Sequence, residues 1–143
     1  MTSTPVRKVG PADVAPNRRR GGDVRILLSP RTVGSTSGFG GSLTLEPGEY
    51  VCEHLHPYSE EFVYVVGGRL RIRIGEELVD LEAHDSVMVP KGVKHRMVNE
   101  GDERAQVIFH LAPLAPRPEL GHVDTEFLPG RSDEPAPPVG GVR

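Results

Sequence analysis

Cysteine occurs once in the chain, at Cys52. A lone cysteine excludes an internal disulfide and any multi-cysteine metal site within one chain. No hydrophobic run is long enough to span a membrane, and no apolar core of a signal peptide follows Met1. A reducing cytoplasm is therefore the expected location. Positive charge is not in excess either. The formal net charge is −3, which leaves no global basic field for nucleic acid. Helical periodicity, internal repeats and a second domain are all missing. What the chain has in quantity is Gly 17 and Pro 14, together more than a fifth of its 143 residues. That suits one turn-rich all-β domain with loose ends.

Short strand-like runs separated by turn residues fill the middle of the chain. Val24 to Leu28 reads as a strand closed by Ser29-Pro30, and residues 31–38 as a loop. Phe39 to Leu45 reads as a strand despite Gly40 and Gly41, which mark a bend or a close approach. Tyr50 to His56 and Glu61 to Val66 follow, with Gly67-Gly68 as a two-residue hairpin loop. Arg69 to Ile74 alternates strictly, with Leu70, Ile72 and Ile74 set against Arg69, Arg71 and Arg73. That is a strand with one wet face. Leu78 to Leu81, Val87 to Val89, His95 to Asn99 and Ala105 to Leu111 complete nine or ten strands, the pattern of a β-sandwich or small barrel. Residues 1–22 are expected to be an extended arm, 23–112 the barrel, and 113–143 an extended tail disordered beyond 130. Arg18-Arg19-Arg20 reads as a solvated turn, with a docking patch for an acidic carrier protein as its functional alternative.

The chemistry concentrates in GEYVCEHLHPYSEEFVYVVGG, Gly48 to Gly68. His54 and His56 are two apart and share one face of a strand. If the next strand lies beside theirs, Glu61 faces the two imidazoles. Two neutral imidazoles and one carboxylate suit Zn, Fe, Mn, Ni or Cu, and His95 is the best fourth ligand. Cys52 shares face parity with the two histidines and would line the cavity, although a lone cysteine is more often a small buried hydrophobe. His110 ends the last strand and either points inward or sits at the surface. His122 falls in the tail and reads as solvated, and Glu60 as outward. Tyr50, Phe39, Val63, Val65, Met88, Met97 and Phe109 are the apolar stock for a cavity wall.

From Gly48 the spacing is G(x)5HxH(x)4E(x)6G, and Pro90-Lys91-Gly92-Val93-Lys94-His95 with Asn99 gives PxGxxHxxxN. Together these resemble the two sequence motifs of the cupin superfamily. The second motif usually opens with Gly where this chain has His84, which puts the local turn in question and leaves the ligands intact. The resemblance implies a double-stranded β-helix, a jelly-roll barrel with a metal inside, and ligand roles for His54, His56, Glu61 and His95.

A closer resemblance extends beyond the motifs. The segments at 16–30, 56–66, 89–103 and 109–126 are similar to the small monocupin polyketide cyclases of actinobacterial aromatic (type II) polyketide pathways. This implies a cyclase or aromatase that closes rings in a poly-β-ketone by intramolecular aldol condensation, with zinc as the expected ion. It also makes His110 a candidate additional ligand, since some members are thought to use a histidine set. The implied partners are a polyketide substrate, free or bound to a carrier protein, and a second copy of the chain in a homodimer. The rival readings are a metal-dependent dioxygenase, a small-molecule-binding cupin without chemistry, and an accessory protein of a synthase complex.

Overall fold

The structure is a computed structural model that describes residues 5–131 and 134–135. The disorder expected beyond 130 falls largely outside the described residues. Among those described, ten strands run in chain order: β1 (Asp23–Leu28), β2 (Phe39–Leu45), β3 (Tyr50–Leu55), β4 (Glu60–Gly67), β5 (Arg69–Ile74), β6 (Glu77–Glu82), β7 (Ser86–Val89), β8 (His95–Val98), β9 (Ala105–Ala112) and β10 (Val123–Asp124). They form two five-stranded antiparallel sheets, ordered β1-β2-β9-β4-β7 and β10-β3-β8-β5-β6. We call these the first and second sheets. Their inner faces enclose Leu43, Leu45, Val63, Val65, Ile72, Val107 and Leu111. Burial alternates residue by residue along β4 and β9, as period-2 side-chain placement requires.

Two expectations fail on topology. Gly67-Gly68 is not a hairpin loop, because β4 and β5 belong to different sheets. The chain crosses from one sheet to the other there. Gly68 has a φ of +75°, and a Cβ on it would run into the carbonyl oxygen of Arg104. Only glycine meets both demands. For the same topological reason β4 does not lie beside β3. The close approach expected at the Gly40-Gly41 pair is present: a Cβ on Gly41 would strike the backbone of Arg25 in β1.

Residues 30–33 form a single helical turn, α1 (Pro30–Val33), where a loop was expected. Ser29 caps it by accepting from the Thr32 amide, Thr32 Oγ1 accepts from the Ser29 amide, and Pro30 opens the turn. The segment before β1 packs on its own chain. Asn17 bridges to Val24, and the Arg20 carbonyl accepts from the Cys52 amide at 2.8 Å. The tail returns likewise, since β10 pairs with β3, setting Val123 against Leu55 and Asp124 against His54.

Candidate metal centre and its cavity

Four side chains meet between the sheets. His54 on β3 and His95 on β8 are direct cross-strand partners. His56 lies one residue beyond the end of β3. Glu61 enters from β4 in the opposite sheet, so the carboxylate faces the imidazoles across the sandwich and not along one sheet. One ligand atom from each, four in all, lie within 4.8 Å of one another. All four residues are buried, His95 completely.

The orientation of the rings is fixed from behind. Each imidazole turns Nδ1 toward a backbone carbonyl: His54 to Cys52 at 2.8 Å, His56 to Gly121 at 3.0 Å and His95 to Val93 at 3.0 Å. An Nδ1–H donating outward leaves the Nε2 lone pair free, the arrangement found behind metal-ligating histidines. His95 Nε2 lies 3.0 Å from Glu61 Oε1, yet the two are not aligned for a hydrogen bond, and both atoms are buried without a partner. Buried donors and acceptors are rarely left so. A nitrogen and an oxygen aimed at a common point, and not at each other, are what a bound cation would satisfy. The donor set, imidazole nitrogen with one carboxylate, fits a first-row divalent ion.

Electrostatics agree. Burial pushes the His54 imidazole well below its ordinary value, and the charges of His95, Arg20 and His56 push the same way. It is held neutral, as a ligand must be. Burial alone would raise the Glu61 carboxyl, but the His56 and His95 imidazoles close beside it outweigh this and hold it well below the carboxylate range. Burial likewise pushes His95 down, and Glu61 more than reverses this. Glu61 is thus held ionised, and a cation entering the site takes the place of the proton that Glu61 favours on His95.

Beside the four clustered side chains an apolar cavity opens. Phe39, Leu43, Met97, Val107, Phe109 and Leu111 form its wall, and Arg20 and His122 contribute polar groups.

Several expectations about individual residues need correction. Cys52 is buried, but it does not line the cavity. The β3–β8 register slips between Val51 and His54: Cys52 and Glu53 together oppose Arg96 alone. This bulge breaks the parity between Cys52 and His54, places Val51 on the cavity wall instead, and leaves Cys52 near Glu126, Arg96, Asp124 and Arg20. His110 does not join the cluster. Phe109 and Leu111 face inward, so His110 faces outward and stacks on Phe62 with centroids 6.4 Å apart. Met88 is also on the outside, and Tyr50 lies under the Arg96 guanidinium. His122 is not solvated; burial, helped by Arg20, lowers its imidazole to about 4. Glu60 is exposed as expected. The arginine triplet is neither a solvated turn nor a free patch. Arg18 pairs with Asp23, while Arg19 and Arg20 both pair with Asp124 at 3.1 and 2.7 Å.

Asp124 and the Arg20 side chain in the cavity were missed. Arg20 was visible as charge, but nothing local ties it to a carboxylate 104 residues away.

Two sheets of a double-stranded β-helix with a His-His-Glu-His cluster between them define a class, and the chain belongs to the cupin family. The family model described as "Cupin domain" matches residues 41–111. Over 90% of its length the chain is 55% identical to "Polyketide synthase CurC" of Streptomyces cyaneus, covering 82% of that protein. Over 99% of its length it is 47% identical to "Tetracenomycin polyketide synthase protein TcmJ" of Streptomyces glaucescens, covering 94% of that protein. Among solved structures, a conserved protein with a double-stranded β-helix domain from Klebsiella pneumoniae superposes with a TM-score of 0.67 at 18% identity, over 85% of this chain and 99% of that one. At that identity the likeness speaks for the fold alone. No helix among the described residues is long and apolar enough to cross a membrane.

Proposed function

We propose that the protein is a metal-dependent polyketide cyclase, closing a ring in a poly-β-ketone by intramolecular aldol condensation. The observation that carries this reading is the pairing of a buried three-histidine, one-carboxylate cluster with an apolar cavity. Its context is a chain nearly half identical, end to end, to a polyketide synthase protein. His54, His56, Glu61 and His95 would hold the ion, with zinc the expected one. When bound, such an ion supplies Lewis-acid polarisation of carbonyl oxygens. The protein's own contribution is containment. Phe39, Leu43, Val107, Phe109 and Leu111 fold a flexible chain against the cluster and exclude water, which favours one ring closure over others. The three backbone carbonyls behind Nδ1 hold the imidazoles in the one tautomer that serves.

The substrate is a small-molecule polyketide and the setting cytoplasmic. Delivery by a carrier protein gains no support from the arginine triplet, since Arg19 and Arg20 are engaged with Asp124. A homodimer is also part of the reading, through the outer face of the first sheet. The outer face of the first sheet presents Phe62, Tyr64, Val66, Met88 and Ile108, each between 39% and 51% exposed. The neighbouring side chains Ser42, Ser86, Gln106 and His110 carry no fixed charge, and the charges on this face, Glu60 at the start of β4 and the paired Asp23 and Arg25 of β1, lie at its margins. A largely apolar face can meet its own copy with little like-charge repulsion.

The deciding experiment strips the protein, reloads it with zinc and follows cyclisation of a poly-β-ketone without oxygen. Turnover that requires zinc and no oxygen supports the cyclase. Activity only with iron or copper and oxygen uptake would replace it by a dioxygenase. Correct cyclisation by metal-free protein would reduce the cavity to a folding template.

A further inference from the structure

Arg20 is held at both ends. Its carbonyl accepts from the Cys52 amide at 2.8 Å, and its Nε donates to Asp124 Oδ1 at 2.7 Å. Asp124 is itself nearly buried and fixed by pairing of β10 with β3. Arg20 lines the cavity that also holds His54, His56 and Glu61, and its Nη2 is buried and makes no hydrogen bond. A planar fork with one arm tied to a carboxylate and another left bare is a preorganised receptor for a second oxyanion. Leaving such a donor buried and unsatisfied is costly, and although Asn17, Ser59 and His122 also line the cavity, none of them accepts a hydrogen bond from it.

We propose that Arg20 is a specificity-determining residue that binds a carboxylate of the ligand, while the ligand's β-dicarbonyl unit occupies the four-residue cluster. The ligand class is then a β-diketo acid and not its neutral ester. The dicarbonyl half of this statement rests on the cyclase reading above; the carboxylate half does not.

The test uses 3,5-dioxohexanoate and its methyl ester, matched in everything but charge. Binding of each is measured by calorimetry to the full-length protein, both zinc-loaded and metal-free. The expected result is acid over ester by about 10- to 100-fold, the range of a charge-assisted hydrogen bond, in both forms. Arg20→Met should abolish the preference, the acid binding no more tightly than the ester. Arg20→Lys, which keeps a cation for Asp124 but loses the fork, should reduce the preference several-fold; it carries the test if Arg20→Met does not fold. Equal binding of acid and ester by the native protein overturns the proposal, as does a preference that survives both substitutions. Zinc-dependent diketone binding without acid preference sinks Arg20 alone. Acid preference with no effect of zinc sinks the metal reading alone. Binding of neither probe overturns both.

Discussion

The two sheets share one core yet differ on their outer faces. The second sheet is charged outside: Arg71 pairs with Asp80, Arg73 with Glu53, and Arg96 with Glu126 while covering Tyr50. The returning tail seals this side, with Glu126 accepting from the Glu53 amide and Thr125 donating to Glu53. The first sheet is bare and apolar outside, at Phe62, Tyr64, Met88 and Ile108. The difference tracks function. The charged, clamped sheet carries His54 and His95 and leads into His56, three of the four side chains proposed to hold an ion and so the ones whose positions need to be rigid. The apolar sheet supplies Glu61 and, from β2 and β9, the cavity wall of Phe39, Leu43, Val107, Phe109 and Leu111, which leaves its outer face for an interface.

The largest effect should come from the inner side of the clamped sheet. His54→Ala or His95→Ala is expected to remove essentially all bound metal while the fold survives, because the barrel core is built from Leu43, Leu45, Val63, Ile72 and Val107 instead. Metal content per chain and circular dichroism of the same samples check this. Full occupancy in both variants would dissolve the contrast between the sheets.

Next is the clamp itself. Asp124→Asn leaves Arg19 and Arg20 without their shared carboxylate and should destabilise the protein by about 3 kcal/mol at neutral pH. The cost has a pH signature. Burial would raise the Asp124 carboxyl, but Arg20 and Arg19 hold it below its ordinary 3.8. A group depressed in the folded state stabilises fully above its unfolded value and loses that contribution as pH falls through the folded one. The gap between native and variant in urea unfolding should therefore be constant from pH 5 to 8 and narrow below about 4. A gap that does not change with pH would mean that packing, not charge, holds the tail.

Much of this architecture was legible in the sequence, for identifiable reasons. Alternation in Arg69 to Ile74 is a local signal, and that strand forms as read. The spacing of His54, His56, Glu61 and His95 brings together residues that do converge. Failures share a cause: they depend on partners far along the chain. Nothing in Gly67-Gly68 says that the next strand joins the other sheet. The bulge that turns Cys52 away is set by its register with β8, and the pairing of Arg20 with Asp124 by the return of the tail.

A third prediction tests the bare face against the clamped one. Phe62→Glu or Ile108→Glu should convert a dimer to monomers at micromolar concentration in sedimentation, with metal content unchanged. Asp80→Ala on the outer face of the second sheet should leave assembly intact and hardly move stability, since exposed ion pairs contribute little. A native protein that sediments as a monomer removes the interface altogether.

The smallest expected effect lies at the turn where the sequence departs from its family. His84 has a φ of +76°, the one non-glycine residue among those described with positive φ. That conformation costs a side chain about 1–2 kcal/mol. Two contacts hold it: its amide donates to the Val65 carbonyl at 2.7 Å, and its Nδ1 lies 2.7 Å from the hydroxyl of Tyr64 on the bare face. His84→Gly relieves the backbone and keeps the amide bond. It loses the bond to Tyr64, worth about 1 kcal/mol or less where exposed, and adds the entropy of a glycine in the unfolded chain, about 0.5–1 kcal/mol. These terms oppose one another and nearly cancel, so stability should move by less than about 1 kcal/mol. Tyr64→Phe, which removes only the side-chain bond, should cost about 0.5 kcal/mol. If His84→Gly instead costs more than about 2 kcal/mol while Tyr64→Phe costs little, the imidazole serves in packing against the face of the first sheet, and that face is less bare than its exposure suggests.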